Sequence, residues 1–187
     1  MKLYALCDQD MLDAKGVSVE EFIAIAKKND AQIIQYRNKN GDIAFIKQQL
    51  ILIRKIYDGF LIVNDAYELV EFCDGVHVGQ EDLKLIDQNI SKAVKILRSV
   101  VTEDKILGIS THNEEEVLEA NALDLNYIGL GAYKETSTKK DISGVLGEKL
   151  DAIAAKSEHL VAAIGGVGLQ DTFNHVTYSV IGSGLLK

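Results

Sequence analysis

Short apolar runs alternate along the chain with longer segments in which apolar residues recur every three or four positions. The short runs predict buried strands and the three-to-four spacing predicts amphipathic helices, a pattern typical of repeated β-α-β units and a parallel sheet. Eight strands are predicted, at residues 3–7, 32–36, 60–63, 75–78, 105–109, 127–130, 160–164 and 178–181.

Two helix starts carry a recognisable capping signal. Ser18 with Glu21, and Asn113 with Glu116, have the spacing of a capping box ahead of an apolar stretch. Residues 42–57 carry isoleucine and leucine at three- and four-residue intervals, which predicts an amphipathic helix with one core face.

Eight strands in strict alternation with helices favour a closed (β/α)₈ TIM barrel over an open doubly wound sheet, which commonly has about five or six strands. The 187 residues leave no room for an inserted domain, so residues 1–187 are predicted to form one α/β barrel domain. Few residues follow the eighth predicted strand, and we therefore expect an abbreviated or missing final helix. A partner subunit or a neighbouring helix would then cover the exposed face, which makes a homo-oligomer a hypothesis.

Composition narrows the classes of partner. Lys and Arg number 20 against 28 Asp and Glu, and the net charge of −8 argues against nucleic-acid binding. The apolar runs are far shorter than the roughly 20 residues of a membrane span, so we expect no membrane partner and a cytoplasmic location. Cys7 and Cys73 lack metal-ligand spacing and are interpreted as small buried hydrophobes.

Polar residues follow most of the predicted strands, where a barrel of this kind places its active site. Asp65 and Asp82 come just after neighbouring strands, so their carboxylates could share a hard cation, and one or two carboxylates suit Mg²⁺. The alternative for each aspartate is helix capping, and for Asp65 the two interpretations are about equally weighted.

Two further features of this end of the barrel indicate anion binding. Gly165–Gly166 and Gly182 follow strands seven and eight, where barrels commonly hold a phosphate through backbone N–H groups. The cations Arg37, Lys39 and Lys139 fall at the same end and imply an anionic substrate. A turn glycine or a solvated surface cation is the alternative for each residue taken alone.

The histidines do not indicate a general acid or base. His77 lies inside the fourth predicted strand and His175 in the segment before the eighth, so both are interpreted as structural, while His112 is interpreted as flanking a helix cap. No Ser-His-Asp or Cys-His set is apparent. The charged residues suit the transfer of a phosphorylated leaving group better than ester hydrolysis.

Taken in order, these segments resemble the motifs of the thiamine-phosphate synthases, a family that also contains the thiazole tautomerases. The resemblance runs along the whole chain, with the segment after the fourth strand as its most specific part. The matching segments are residues 35–39, 64–65, 74–83, 110–112, 136–141 and 164–167. The resemblance implies a (β/α)₈ barrel enzyme that joins hydroxymethylpyrimidine diphosphate to a thiazole phosphate, releases diphosphate and uses Mg²⁺.

The resemblance also implies roles for individual residues. Cations would grip the diphosphate, two aspartates would hold Mg²⁺, polar side chains would orient the pyrimidine, and hydroxyl and glycine positions would receive the thiazole phosphate. The cations are Arg37, Lys39 and Lys139, and the aspartates are Asp65 and Asp82. Gln35 and Asn64 would orient the pyrimidine and its diphosphate, with Ser110 close by. The positions for the thiazole phosphate are Thr136, Thr138, Gly166, Ile181 and Gly182.

The chain departs from the family pattern at three places. Ala66 stands where the family usually has Arg. In the loop after strand six, Ala132 and Glu135 fall near positions of prolines, and the final strand and its following helix are abbreviated. Tautomerase relatives carry a histidine in the loop after strand six, where this chain has Ala132, so tautomerase activity is the less favoured alternative. A non-catalytic barrel that binds thiamine phosphate or a precursor is the second alternative.

Overall fold

The computed structural model describes residues 1–135 and 144–186, in which eight parallel strands close into a barrel in chain order. Strand β1 pairs with both β2 and β8, which completes the ring. The predicted (β/α)₈ barrel is therefore confirmed, with predicted strand ends within two residues of the observed ones. The strands are β1 (Lys2–Asp8), β2 (Ile33–Arg37), β3 (Phe60–Asn64), β4 (Gly75–Val78), β5 (Ile106–Thr111), β6 (Tyr127–Leu130), β7 (Leu160–Ala163) and β8 (Tyr178–Ile181).

Helices surround the barrel in the described residues and connect most of its strands, but residues 164–177, between β7 and β8, contain no helix, so the predicted strict alternation is not kept there. They are α1 (Gln9–Lys15), α2 (Val19–Lys28), α3 (Ile43–Ile56), α4 (Gln80–Ile86), α5 (Ile90–Val100), α6 (Glu114–Ala120) and α7 (Lys149–Ala154), with 3₁₀ helices at Tyr67–Phe72 and Ser183–Leu186. Helix α3 buries Ile46, Leu50 and Ile53 on one face, as its spacing predicts. None of the helices in the described part of the chain is long and apolar enough to cross a membrane.

The two predicted capping boxes have different outcomes. At α2 the Ser18 hydroxyl accepts from the Glu21 N–H and the Glu21 carboxylate accepts from the Ser18 N–H, so this box is confirmed. At α6 the Asn113 side chain accepts from the Glu116 N–H, but the Glu116 carboxylate accepts from the His112 N–H. The second box was wrong in its reciprocal half because Glu116 also takes the His112 ring as a partner.

Two apolar cores lie on opposite sides of the barrel wall. A large core between the strands and the helices includes Cys7 and Cys73, which are buried and free as expected. A smaller core inside the barrel is built on Tyr4, Ile62 and Tyr127. Gly108 makes room for it, because a Cβ atom there would lie 2.2 Å from the Tyr127 ring. These side chains fill the barrel below the carboxyl ends of the strands, so a ligand site within the barrel is confined to that end.

Candidate active site at the carboxyl ends of the strands

Neighbouring strands bring three predicted site residues into one hydrogen-bonded chain. The buried Gln35 amide of β2 donates to Asn64 Oδ1 at the end of β3, and the two atoms are 3.4 Å apart. The Asn64 amide donates in turn to the Asp65 carboxylate. Asp65 Oδ1 also accepts from the Gly79 N–H, at 3.0 Å, just beyond β4. Parallel pairing of β2, β3 and β4 therefore places Gln35, Asn64 and Asp65 at one edge of the mouth.

Asp65 does not cap the helix that follows it. The 3₁₀ helix Tyr67–Phe72 begins after Ala66 without a side-chain cap. Asp65 has φ +61°, a left-handed conformation that is uncommon outside glycine but tolerated by aspartate. Such strain persists where the surrounding structure holds it, often at functional sites. The carboxylate faces Gly79 and α4, so the capping interpretation does not apply to Asp65.

Asp82 lies in the first turn of α4, close to Asp65. Asp82 Oδ2 and Asp65 Oδ1 are 3.2 and 3.9 Å from the position that a Cβ atom on residue 79 would occupy. The pKa of the Asp65 carboxyl is raised, chiefly because the group is buried, and the Asp82 charge raises it further. The Gly79 N–H and the cations Lys39 and Arg37 act in the opposite direction and lower this pKa. These two carboxylates and two cations therefore act on one another at the mouth.

The donor set near Asp65 suits a hard cation. Burial and Asp82 both disfavour the ionised form of Asp65, and added positive charge between the carboxylates would offset that cost. Among the described residues, no group of three or more His, Cys, Asp and Glu could hold a metal. Two carboxylates would leave the other coordination positions to water and ligand oxygens, as Mg²⁺ prefers.

Arg37, the last residue of β2, is held by an acidic residue that the sequence analysis missed. Its guanidinium donates to the carboxylate of Asp8, which ends β1 and is 2% exposed. Asp8 also caps α1 by accepting from the Met11 N–H at 3.0 Å. Asp8 is the polar last residue of an apolar strand, and that signal could have identified it. The pair fixes Arg37 at the mouth and leaves its other N–H groups for an anion.

Lys39 follows β2 at the outer rim of the mouth. Its ammonium lies 3.6 Å from the Glu81 carboxylate, and the two side chains are 48% and 83% exposed. An exposed pair of this kind is weak, so Lys39 is able to turn toward a ligand at small cost.

Ser110, the last inward-facing residue of β5, is tied to β4. Its hydroxyl lies 2.9 Å from His77 Nε2, and its carbonyl accepts from the Gln80 side chain at 2.7 Å. His77, interpreted from the sequence as structural, is buried and bonded to Ser110 inside the barrel, and neither His77 nor Gln80 was predicted as a site residue. Residue alternation along β4 could have indicated that His77 shares the inner face of the barrel with Gly75 and Gly79.

Glycine backbone forms the opposite part of the mouth. Gly165 and Gly166 follow β7 with φ +78° and +71°. A Cβ atom added to Gly165 would lie 2.5 Å from the Ala132 Cβ, and one added to Gly166 would lie 2.8 Å from the Lys134 Cβ. Among the described residues, neither glycine donates a backbone hydrogen bond. Two such N–H groups in successive left-handed residues suit an anion.

The remaining predicted residues divide into two groups. The first group lies at the end of β8. Gly182 follows this strand, and the Ile181 side chain packs in the core between strands and helices, so only the backbone of Ile181 is available at the mouth. Thr136, Thr138 and Lys139 lie outside the described residues.

The sequence of this chain is similar to that of known proteins. The family model described as "Thiamine monophosphate synthase" matches residues 3–182. The chain belongs to this family. It is 35% identical to the thiamine-phosphate synthase of Persephonella marina, with 89% of this chain and 77% of the relative covered. It is 32% identical to that of Clostridium acetobutylicum, covering 100% of this chain and 85% of the relative.

A solved structure supports the same fold assignment. The thiamine phosphate pyrophosphorylase from Pyrococcus furiosus superposes with a TM-score of 0.74 at 24% sequence identity. The match covers 97% of this chain and 85% of the other. Family membership and barrel fold thus agree with the resemblance drawn from the motifs.

Proposed function

We propose that this chain is a thiamine-phosphate synthase that joins hydroxymethylpyrimidine diphosphate to a thiazole phosphate and releases diphosphate. The observation that carries the proposal is the cluster of Arg37, Lys39, Asp65 and Asp82 at the carboxyl ends of β2 to β4, where the two carboxylates both lie next to Gly79. Cations that lie next to paired carboxylates suit a diphosphate bound together with a divalent metal.

The pyrimidine half of the reaction falls to β2, β3 and β5. Gln35 and Asn64 are neutral amides that present both donors and acceptors, and their mutual hydrogen bond fixes their orientation. They would orient the pyrimidine and the first phosphate, with Ser110 contacting the ring. Arg37 and Lys39, joined by Lys139, would bind the diphosphate oxygens.

The donor chemistry of Asp65 and Asp82 fits Mg²⁺, and we propose these two residues as its protein ligands. Bound there, the metal would supply positive charge to the diphosphate leaving group. The Gly79 N–H and the Asn64 amide hold the Asp65 carboxylate toward this position. Asp82 is carried by the first turn of α4, so a rigid helix sets its distance from Asp65.

The reaction is a substitution at the pyrimidine methylene carbon. The carbon–oxygen bond to diphosphate breaks with its electron pair leaving on oxygen, and the thiazole nitrogen lone pair forms the new carbon–nitrogen bond. Neither step requires a protein base. Arg37 and Lys39 face the charge that develops on the leaving oxygen, and positioned charges of this kind commonly contribute the largest part of catalysis.

The thiazole phosphate would bind at the glycine side of the mouth. Gly166 and the Ile181–Gly182 turn would supply backbone N–H groups, with Thr136 and Thr138 completing the site. This arrangement places the nucleophile opposite the diphosphate cluster, which is the geometry that displacement requires.

The test is diphosphate release from the two substrates, measured with and without Mg²⁺, in the unmodified chain and in Asp82→Asn. We expect release to need both substrates and the metal, and to fall about 10²- to 10³-fold in the variant. The matched control is Asp58→Asn, which removes the same charge at an exposed position just before β3, at the other end of the barrel.

Two results would contradict the proposal. Absence of release together with tight binding of thiamine phosphate would favour the non-catalytic barrel. Equal release in Asp82→Asn and Asp58→Asn would remove the proposed role of the carboxylate pair.

A further inference from the structure

Four buried polar groups form a line from the inside of the barrel to its mouth. The Tyr4 and Tyr127 hydroxyls are 2.9 Å apart, Tyr127 Oη is 2.9 Å from His77 Nδ1, and His77 Nε2 is 2.9 Å from Ser110 Oγ. Tyr4 is fully buried at one end, and Ser110 stands at the carboxyl end of β5 at the other. The reaction proposed above assigns no role to Tyr4, Tyr127 or His77.

The number of hydrogens that the four groups can donate limits the directions in which the three hydrogen bonds can point. With His77 neutral, each of the four groups has one hydrogen to donate, and three hydrogen bonds join them. One hydrogen is therefore left over, on Ser110, on Tyr4 or on Tyr127, and in the last two cases His77 Nδ1 donates to Tyr127 and the spare hydrogen is buried. If the bonds point inward, the spare hydrogen is on Tyr4, whose hydroxyl bonds to Tyr127 alone among the described residues. If they point outward, the spare hydrogen is on Ser110.

The outward direction is favoured because a buried donor without an acceptor costs about 1–3 kcal/mol. Tyr4 is fully buried in the barrel interior, whereas Ser110, although only 2% exposed, lies at the carboxyl end of β5, where the proposed ligand binds. A protonated His77 would not remove the problem, since both ring nitrogens would donate and a phenol hydrogen would again lack an acceptor. Burial raises the pKa of Tyr4 and Tyr127, so both phenols keep their hydrogens.

Packing holds the imidazole in this orientation. The His77 ring stacks on Tyr127 with centroids 5.5 Å apart and planes 29° apart. Its Cε1 atom is 3.1 Å from the place where a Cβ atom of residue 129 would be, so the wall of the barrel lies against the ring. A ring confined on these sides keeps the same nitrogen toward Ser110.

We propose that Tyr4, Tyr127 and His77 form a one-way hydrogen-bond relay that fixes the Ser110 hydroxyl as a donor toward the mouth. This point of the site then favours an acceptor atom of the ligand, such as a ring nitrogen, over an N–H group, which has no lone pair to accept with. His77 and Tyr127 are positioning residues that act through Ser110. The identity of the ligand rests on the proposed function, whereas the direction of the relay does not.

The direct test is the tautomer of His77, read by ¹⁵N NMR of the unmodified chain at neutral pH without ligand. The relay requires a protonated Nε2 and an unprotonated Nδ1. Comparison with His112→Gln, His159→Gln and His175→Gln assigns the His77 signals without altering the barrel interior. A protonated Nδ1, in either the other tautomer or the imidazolium, would overturn the proposal.

The functional test is a double-mutant cycle on binding of hydroxymethylpyrimidine diphosphate, measured by calorimetry. We expect Tyr127→Phe and Ser110→Ala each to weaken binding about three- to tenfold, the effect of one lost hydrogen bond. In the Ser110→Ala background, Tyr127→Phe should have no further effect, because it acts through that hydroxyl. Additive effects in the cycle would contradict the relay.

Tyr178→Phe is the matched control for this cycle. Tyr178 also lines the barrel interior and packs edge-on against Tyr4, but it has no place in the line of hydrogen bonds. Binding should be unchanged in this variant. Failure of diphosphate release with the expected tautomer would count against the proposed function and leave the relay supported. Diphosphate release together with a protonated His77 Nδ1 would support the proposed function and overturn the relay.

Discussion

The mouth of the barrel is built in two different ways on its two sides. At the ends of β1 to β4, charged and amide side chains cross-link neighbouring strands, as in the Arg37–Asp8 pair and the chain from Gln35 to Asp65. After β7 the mouth is glycine backbone, with Gly165 and Gly166 in left-handed conformations packed against the segment after β6. One side presents charge, and the other presents N–H groups at close range.

This difference matches the two anions of the proposed reaction. A diphosphate that must leave develops negative charge during the reaction, and formal cations aimed at it stabilise that change. A phosphate that only anchors the second substrate keeps its charge throughout, and backbone N–H groups are sufficient to hold it. The contrast predicts that variants on the two sides affect different substrates.

The largest effect is expected from Arg37→Ala. Removal of a positioned cation that faces the leaving group should lower kcat about 10²- to 10³-fold, and Lys139→Ala is expected to behave alike. The KM for the thiazole phosphate should change little. Steady-state kinetics with each substrate varied in turn would check this, with Lys28→Ala, an exposed cation in the last turn of α2, as the control. Unchanged turnover in Arg37→Ala would remove this residue from the catalytic site.

Gly166→Ala should break the other side of the mouth. Its φ of +71° and the close Lys134 Cβ atom make a side chain costly, and we expect about 1–3 kcal/mol of lost stability. The KM for the thiazole phosphate should rise while binding of the pyrimidine diphosphate is kept. Urea unfolding and substrate titration would measure both effects.

Gly16→Ala separates the two causes of that cost. Gly16 has a similar φ of +62° but no atom within 4 Å of an added Cβ, so only the backbone conformation is penalised. An equal loss of stability in the two variants would show that the packing around Gly166 contributes nothing.

Asp8→Asn should sharpen the role of the Arg37 pair. The single amide oxygen still accepts the Met11 N–H of α1, but the NH₂ group that replaces Oδ2 is a donor and no longer accepts from Arg37. We expect roughly a tenfold fall in kcat/KM, about 1.4 kcal/mol of transition-state stabilisation, with helix content unchanged. An increase in activity would show instead that Asp8 neutralises Arg37 rather than positioning it.

The smallest effect is expected from Asp171→Asn on the glycine side. Lys134 contacts both Asp171 carboxylate oxygens, at 2.7 and 2.9 Å, and thereby ties the segment after β6 to the segment after β7. Burial acts to raise the pKa of Asp171, but the Lys134 ammonium and the Gly168 N–H together lower it.

The sign of the pH dependence follows from that lowered pKa. The ionised carboxylate stabilises the fold above the pKa of an unfolded aspartate, about 3.9, and this contribution is lost as the pH falls through the lower folded pKa. Asp171→Asn should therefore lower the unfolding midpoint slightly at pH 7. At a pH below both pKa values the two proteins should unfold alike. A constant difference across this range would contradict the charge-based explanation.

Much of the fold was predictable because it depends on local pattern. Apolar runs of four to seven residues and the three-to-four spacing of α3 are set by which side chains must leave water, and both appear in the sequence. The second capping box failed for a local reason of its own. Glu116 has one carboxylate and two candidate partners, and spacing alone does not show that His112 takes it.

The candidate site was predictable as a set of strand ends but not as a set of contacts. Asp65 and Asp82 were identified from their positions after neighbouring strands, and the structure brings them to the same side of Gly79. The capping alternative for Asp65 could be rejected only from its backbone conformation. Asp8 and His77 were missed because their partners, Arg37 and Ser110, lie about 30 positions away in the chain.

By itself the sequence determined the barrel, its strand order and several of the polar residues at the strand ends, because hydrophobic periodicity and strand-end chemistry are properties of short segments. Only the tertiary structure decided which of those residues meet, since barrel closure brings distant strands together. The line from Tyr4 through Tyr127 and His77 to Ser110 spans β1, β6, β4 and β5. Its direction depends on which end lies at the mouth, and that position is a property of the closed barrel as a whole.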